Sequence, residues 1–457
     1  MSFFATLGLL FLLIIRPQEI WPWLEALRLL DVFTALAALG VIIELSTGKQ
    51  KRPYSSPQFP FLVAFLISCY VSTIIYAGRD GPGIVTTRAV IASVFMLVVM
   101  FGVGTYKRLM TTLTLMTAMS IFIAGVAIHQ GFQEPVCIEL PEWDSGASEE
   151  GEPDGRSCET AYGCSKEGRP EVDYACERVG LFRTVSVVRR VRWRGQLNDP
   201  NELAVFLGAI IPLLLALSAQ VKKKAFSVFA VAIIGVFLYC VILTQSRGGQ
   251  LVIGTVMGIY FVLRFGMKGI LAGAVMALPV VLYGGRDDSM AEASSEERIG
   301  LLYDGIGLFF SHPILGVGVD QFKEHMSVVQ TAHNAYLLAG TELGLPGMVC
   351  WSGILWASLK IPFAIVWRKE SPEHLKPLAT GLIVSFIGMG IGIFFLSFTY
   401  KQLLFIWFGL AGALYRIAKD ADPGYEVTMS WKDIAGLAAA DLALMTTIFL
   451  YTRLRPQ

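Results

Sequence analysis

Charge is what this sequence has least of. Only 16% of its 457 residues are Asp, Glu, Lys or Arg, where a soluble domain carries about 25%. That deficit, with 54% hydrophobic residues and a mean hydropathy of +0.59, excludes an ordinary water-soluble globule and points to a bilayer. Net charge is +1, so no broad basic field exists for a nucleic-acid partner. No basic stretch precedes the first apolar run, Ser2–Ile15, and no A-x-A-like site follows it. It reads as a retained span, not a cleaved signal. No repeat with a period of roughly 20–50 residues is evident, and no paired C-x-x-C knuckle is present.

What is there is a series of apolar runs. Crossing a hydrocarbon core takes roughly 17–25 residues. Runs near that length lie at 2–16, 30–46, 58–77, 84–104, 109–129, 201–219, 225–244, 249–264, 269–283, 335–366, 377–398 and 402–418. A weaker thirteenth, 433–451, contains Asp441. The expected fold is therefore an all-α polytopic membrane protein with about 12 transmembrane helices and two long external loops. Basic residues follow every even-numbered run: Lys49, Lys51 and Arg52; Lys107 and Arg108; Lys222, Lys223 and Lys224; Arg264 and Lys268; Arg368, Lys369 and Lys376; Arg416 and Lys419. Lys and Arg mark the cytoplasmic side, so the N-terminus is expected there and the loops after the fifth and ninth runs outside. The expected organisation is a five-span bundle over 1–129, a first loop over 130–200, central spans over 201–283, a second loop over 284–334, and C-terminal spans with a tail over 335–457.

The first loop carries Cys137, Cys158, Cys164 and Cys176. In an oxidising compartment four cysteines predict two disulfides with three possible connectivities. A zinc site is the weaker alternative. The loop is acidic from Glu134 to Glu177; from Arg178 to Arg194 it then holds six arginines and no carboxylate. An arginine run outside breaks the positive-inside pattern. It either pairs with the acidic half or lipid phosphates, or forms an anion site, to which the guanidinium fork is suited. Asn198-Asp199-Pro200-Asn201 follows Arg194 as a helix-start signal, and a helix N-terminus also favours an anion. Arg247, in Ser246-Arg247-Gly248-Gly249, stands between two apolar runs, where a charge is costly unless paired or wet; snorkelling to the interface is its bland reading.

The second loop holds Arg298 in Glu296-Glu297-Arg298, then His312-Pro313-Ile314-Leu315-Gly316-Val317-Gly318, and then His333-Asn334-Ala335-Tyr336-Leu337 running into Glu342-Leu343-Gly344. His333 stands at a helix entry, where an imidazole can exchange a proton. Glu342 lies about 13 Å along the helix by rise per residue, too far to pair with it directly. Asp287-Asp288 is a nominal metal pair, but adjacent carboxylates in a polar loop are usually only solvated.

Taken in order, Arg194 before the Pro-Asn helix start, Ser246-Arg247-Gly248, and the Arg298…His312…His333…Glu342 loop resemble the O-antigen ligase and O-antigen polymerase superfamily of bacterial envelope glycosyltransferases. The resemblance covers roughly Arg194 to Gly347; the acidic Cys-bearing loop departs from the usual pattern and leaves the acceptor open. It implies a bacterial inner-membrane enzyme, acting at the periplasmic face, that transfers a glycan from undecaprenyl diphosphate to an acceptor hydroxyl with inversion, without metal or other cofactor. Donor and acceptor (another glycan, lipid A–core or a protein) would be its partners, with membrane lipids around it. His333 would be the general base; Arg194, Arg247 and Arg298 would hold the diphosphate; Asn201, Asn334 and Glu342 would support them. Ligase is the preferred reading, with polymerase as the alternative. From other classes stand a lipid-linked oligosaccharide flippase or transporter, which would need charges at mid-bilayer, and a nonenzymatic export partner.

Overall fold

A computed structural model describes residues 1–48, 56–140, 151–169, 171–221, 223–266, 288–326 and 330–454, with isolated positions between 267 and 287. Among the described residues the helices of seven residues or more are, in chain order, α1 (Ser2–Ile15), α2 (Leu29–Ser46), α3 (Phe59–Ala77), α4 (Ile91–Gly102), α5 (Tyr106–Gly131), α6 (Ala161–Glu167), α7 (Pro200–Gln220), α8 (Lys224–Thr244), α9 (Arg247–Phe265), α10 (Asp288–Ser311), α11 (Ala335–Trp367), α12 (Lys376–Gly392), α13 (Gln402–Ala421) and α14 (Trp431–Leu454). Strands β1 (Pro135–Glu139), β2 (Glu152–Ser157) and β3 (Tyr174–Arg178) form a sheet in the order β2-β1-β3.

The chain is a helical membrane protein. Eight described helical stretches are long and apolar enough to cross a bilayer: Pro22–Ser46, Phe59–Gly102, Tyr106–Gly131, Pro200–Gln220, Lys224–Thr244, Ala335–Trp367, Lys376–Phe395 and Trp431–Leu454. Phe59–Gly102 takes in two runs that the sequence separates, because short helical turns continue the chain between α3 and α4. The weak thirteenth run is among the eight. α1 has 14 residues, about 21 Å at 1.5 Å per residue, short of a core about 30 Å thick. Most of the apolar run at 269–283, the basic residues Lys49, Lys51, Arg52 and Lys222, Asp287, and the side chains of Arg264 and Asp288 lie outside the described residues.

Exposure supports the membrane reading independently of composition. Val32, Leu36, Leu39 and Ile43 on α2, and Val63, Ile67, Val71 and Ile74 on α3, recur at three- and four-residue spacing and are all exposed. An outward apolar stripe is the reverse of a soluble helix and fits a lipid solvent.

The chain divides into two compact units. One comprises Met1–Leu9, Asp31–Leu113 and Arg286–Gln457; the other comprises Leu10–Leu30 and Thr114–Gly285.

In the first unit small residues let helices approach, as membrane packing requires. A Cβ on Gly409 of α13 would stand 2.7 Å from both the Met96 carbonyl oxygen and Val99 Cβ of α4. Buried polar groups find partners: Gln58 Nε2 donates to Ser358 Oγ at 2.6 Å and to the Phe408 carbonyl at 2.8 Å. Asp441 of α14 accepts from Ser352 Oγ of α11 at 2.7 Å.

In the second unit α7 and α9 run side by side in parallel. A Cβ on Gly249 would meet Ala204 Cβ at 2.3 Å, and one on Gly208 would meet Val252 Cγ1 at 2.8 Å. Positions advance together along both helices, so their N-termini lie at the same end.

The small sheet was not foreseen in an all-helical reading. β1 and β3 pair antiparallel with Cys137 opposite Cys176, and the disulfides join Cys137 to Cys164 and Cys158 to Cys176. The module's core is Cys137, Cys164, Tyr174 and Cys176, with Cys158 and Val172 packed against it. So few apolar side chains make a core only when covalently stapled. Both sulfur pairs are consumed in these bonds, leaving no thiolate there for a metal. Burial opposes ionisation of Asp154, but hydrogen bonds and charge from Arg156 outweigh it and hold the carboxyl below its ordinary range.

Candidate functional site

The sequence-predicted residues fall into two sets. Arg194, Asn201 and Arg247 belong to the second unit; Arg298, His333, Asn334 and Glu342 belong to the first.

In the second unit the Asn198–Asn201 signal starts α7. The Asp199 side chain accepts from the Asn201 backbone N–H at 2.7 Å, and Pro200 occupies the first turn. Asp199 therefore serves as cap. Asn201 Oδ1 accepts from Arg190 Nη2 at 2.8 Å. α9 starts the same way: Ser246 Oγ accepts from Gly249 N–H at 3.0 Å. Arg247 is the first helical residue and is exposed, while Ser246 and Thr244 are fully buried. Gly249, two residues on, is required by contact with Ala204, so the Ser-Arg-Gly-Gly string encodes a cap, an outward cation and a close approach.

The arginine run divides by burial. Arg190, Arg192 and Arg194 are 4%, 8% and 7% exposed, and their guanidinium groups donate mainly to backbone carbonyls. Arg192 Nε reaches Val185 at 2.7 Å and Nη1 reaches Asn198 at 3.2 Å. Arg194 reaches Glu19, Phe182 and Arg183. Trp193, fully buried, donates to the Ile14 carbonyl at 3.0 Å, which fixes this stretch against residues 14–19. The guanidinium of Arg194 is thus engaged with backbone, and among Arg194 and Arg247 the exposed cation is Arg247.

In the first unit His333 stands just before α11 with φ 45. A side chain larger than glycine is rare in that left-handed region, and such strain concentrates at functional positions. Its surroundings over-determine it. Asn334 caps α11, accepting from Leu337 N–H at 2.9 Å; Gln330 Nε2 donates to Glu297 at 2.7 Å; Thr331 and Ser397 share a hydroxyl contact; and Thr399 Oγ1 donates to the Ala335 carbonyl at 2.8 Å. The Gln330–Glu297 bond ties the approach to His333 to the residue before Arg298. Both His333 and Arg298 are half-buried. Asn334 Nδ2 is buried with no hydrogen-bond partner among the described residues.

Glu342 sits where α11 is broken, at Gly344 (φ 66, ψ −179). Pro346 has no N–H to return to the Glu342 carbonyl, which instead accepts from Ser72 Oγ at 2.7 Å and Gly318 N–H at 2.9 Å. Val317 N–H takes the Thr341 carbonyl at 3.0 Å, and Leu345 N–H donates to Pro313 at 2.8 Å. The His312–Gly318 string is therefore docked along the broken helix. The carboxylate accepts from Phe322 N–H at 3.3 Å and faces the Tyr400 hydroxyl. Burial pushes the neighbouring Tyr400 phenol well above its ordinary pKa, and the Glu342 charge adds to this. Two residues went unread in the sequence: Arg88, which pairs with Asp320 at 2.9 Å, and Glu202, a buried carboxylate in the first turn of α7. The acidic residue next to the Pro-Asn start was visible; its burial was not.

Comparison with curated proteins finds no match. Residues 230–352 match the family model described as O-antigen ligase, a segment that contains Arg247, Arg298, His333, Asn334 and Glu342 but not Arg194 or the disulfide module. Over these residues the chain is similar to the O-antigen ligase family, a likeness that supports a membrane enzyme of glycosyltransferase type with lipid-linked glycan and acceptor as partners in general terms.

Proposed function

We propose that this protein is an inner-membrane glycosyltransferase of ligase type, with its N-terminus cytoplasmic and its chemistry at the periplasmic face. It takes a glycan from undecaprenyl diphosphate and joins it to an acceptor hydroxyl. The observation that carries the reading is the parallel pair α7 and α9, which brings two helix N-termini to one end beside the exposed Arg247. Aligned N-terminal dipoles and a guanidinium together favour a diphosphate.

In the reaction the acceptor oxygen attacks the anomeric carbon from the face opposite the leaving group. The carbon–oxygen bond to the diphosphate breaks, the configuration inverts, and negative charge gathers on the departing oxygens. Stabilising that charge is the role assigned to Arg247 and to Arg298, since a guanidinium can offset the charge of the departing oxygens without a metal. His333 takes the acceptor proton, a step worth roughly 10²–10⁴-fold. Asn334, Asn201 and Glu342 hold these groups in place, and Arg194 acts by fixing the backbone ahead of α7.

The test is purified protein in nanodiscs with an undecaprenyl-diphosphate glycan and two acceptors. A capped lipid A–core or protein acceptor supports the ligase; a lengthened lipid-linked glycan means polymerase. Consumption of neither, with the glycan moved across the bilayer instead, sinks both in favour of a flippase.

A further inference from the structure

The turn that carries Arg190 is strained, and it is tied at one end to the disulfide module and at the other to the α8–α9 junction. Val187 and Arg190 exchange backbone hydrogen bonds of 3.0 Å each, and the two residues between them, Val188 and Arg189, have φ 51 and 59. A hairpin turn with positive φ at both central positions normally uses Asn-Gly. A β-branched valine there is an outlier that persists only when its surroundings hold it.

The holding group is Glu177. Its carboxylate accepts from Val188 N–H at 2.6 Å, from Arg189 N–H at 2.8 Å and from the Ser186 hydroxyl. Glu177 lies in β3, next to Cys176 of the Cys158–Cys176 disulfide. Arg189 Nη2 in turn reaches the Glu159 carbonyl and, at 3.5 Å, Cys176 Sγ. Both supports of the turn, Glu159 and Glu177, therefore adjoin the Cys158–Cys176 disulfide.

At the other end Arg190 joins two helix termini, the end of α8 and the start of α7. Its Nε donates to the Thr244 carbonyl at 2.7 Å, capping the C-terminus of α8. Val191 N–H does the same for Leu243 at 3.4 Å. Arg190 Nη2 donates to Asn201 Oδ1 in the first turn of α7 at 2.8 Å. Thr244 is followed by Gln245, in the left-handed region at φ 50, then by Ser246 and Arg247. Fixing the Thr244 carbonyl fixes the plane from which Gln245 turns the chain, and so the direction in which Arg247 leaves α9.

We propose that Arg190 is a positioning residue for Arg247, and that the disulfide module sets the position of Arg190 through Glu177. The module is then part of the transfer machinery, although it lies outside the segment shared with the family. The proposal rests on the reading of Arg247 as the diphosphate cation.

The test uses the full-length protein in nanodiscs, comparing wild type with Glu177→Gln, Arg190→Lys, Arg190→Ala and Glu177→Gln/Val188→Gly. Hydrogen exchange is followed over 243–250, where the Gln245, Gly249 and Gln250 N–H groups are all bonded. Glu177→Gln and both Arg190 variants are expected to speed exchange there at least tenfold while leaving the middle of α7 unchanged. Val188→Gly, by removing the strain that Glu177 restrains, should return most of that protection. With an undecaprenyl-diphosphate glycan, Arg190→Lys should lower kcat about tenfold with little change in KM. The losses from Arg190→Ala and Arg247→Ala should not add, a coupling that general destabilisation does not produce. Unchanged exchange over 243–250 in both Arg190 variants, or strict additivity with Arg247→Ala, overturns the proposal. Wild-type protein that protects 243–250 but never consumes the lipid diphosphate instead refutes the functional reading and leaves the positioning intact.

Discussion

Replacing Gly344 by alanine tests whether the His312–Gly318 string is locked onto the broken part of α11. A Cβ at this position would stand 2.4 Å from both the carbonyl carbon and the carbonyl oxygen of Ile314. Neither is the flexible tip of a side chain, so the string must move. The backbone conformation (φ 66, ψ −179) is in addition one that only glycine adopts readily, and holding another residue there costs about 1–3 kcal/mol. Displacing the string exposes three bonds to loss: Val317 to Thr341, Gly318 to Glu342, and Leu345 to Pro313. At about 0.5–1.5 kcal/mol each, the total cost is roughly 3–7 kcal/mol. Much of that cost is local, because α3, α12 and α13 still pack on the rest of the first unit. Hydrogen exchange on protein in nanodiscs should show the 313–320 amides losing protection by at least a hundredfold, with slower-exchanging helix interiors little affected. Gly300→Ala is the matched control: its Cβ would meet nothing within 4 Å, and alanine in a helix is favoured by about 1 kcal/mol. Protection over 313–320 that survives Gly344→Ala would refute this account of the helix break.

Other expectations follow from the same geometry. His333→Gly should abolish glycan transfer yet raise thermal stability by up to about 1 kcal/mol, since glycine accepts φ 45 without strain; His333→Ala should lose activity without that gain, and thermal melts beside transfer assays separate the two. Arg247→Lys keeps the charge but not the fork, so most activity should go while membrane insertion stays normal; wild-type turnover by that variant would end the diphosphate assignment. Removing Cys137–Cys164 opens a closure of 27 residues, worth about 3.5 kcal/mol by chain entropy, and limited proteolysis should then cut the 130–178 module while the helical spans remain intact. Ser352→Ala removes the donor to buried Asp441 and should cost about 1–3 kcal/mol, whereas Asp441→Asn can keep accepting from Ser352 and should cost less; equal melting shifts for both would count against the contact.

The helical membrane character, though not the count of twelve spans, the sites of the helix starts and the presence of a crosslinked loop could be read from the sequence, because each depends on residues close together in the chain. A bilayer requires long uncharged runs; Asp199-Pro200-Asn201 and Ser246-Arg247-Gly248-Gly249 carry caps within three residues of the N–H groups they satisfy. Gly249 is legible only as a glycine: that it faces Ala204 and aligns α7 with α9 depends on two helices some forty residues apart. The same limit hid the sheet, whose strands are too short to show a period and which pairs Cys137 with Cys176.

Charge was the least legible property. Six arginines within seventeen residues look alike as sequence, yet Arg194 is buried and spent on three carbonyls while Arg183 is exposed, and beyond the run Arg247 is left outward. Composition and local pattern determined that this is a helical membrane protein with an arginine-rich, crosslinked loop. Which guanidinium groups support the backbone and which one is available to a ligand was decided only by tertiary packing, because that depends on which distant carbonyls the fold brings within 3 Å.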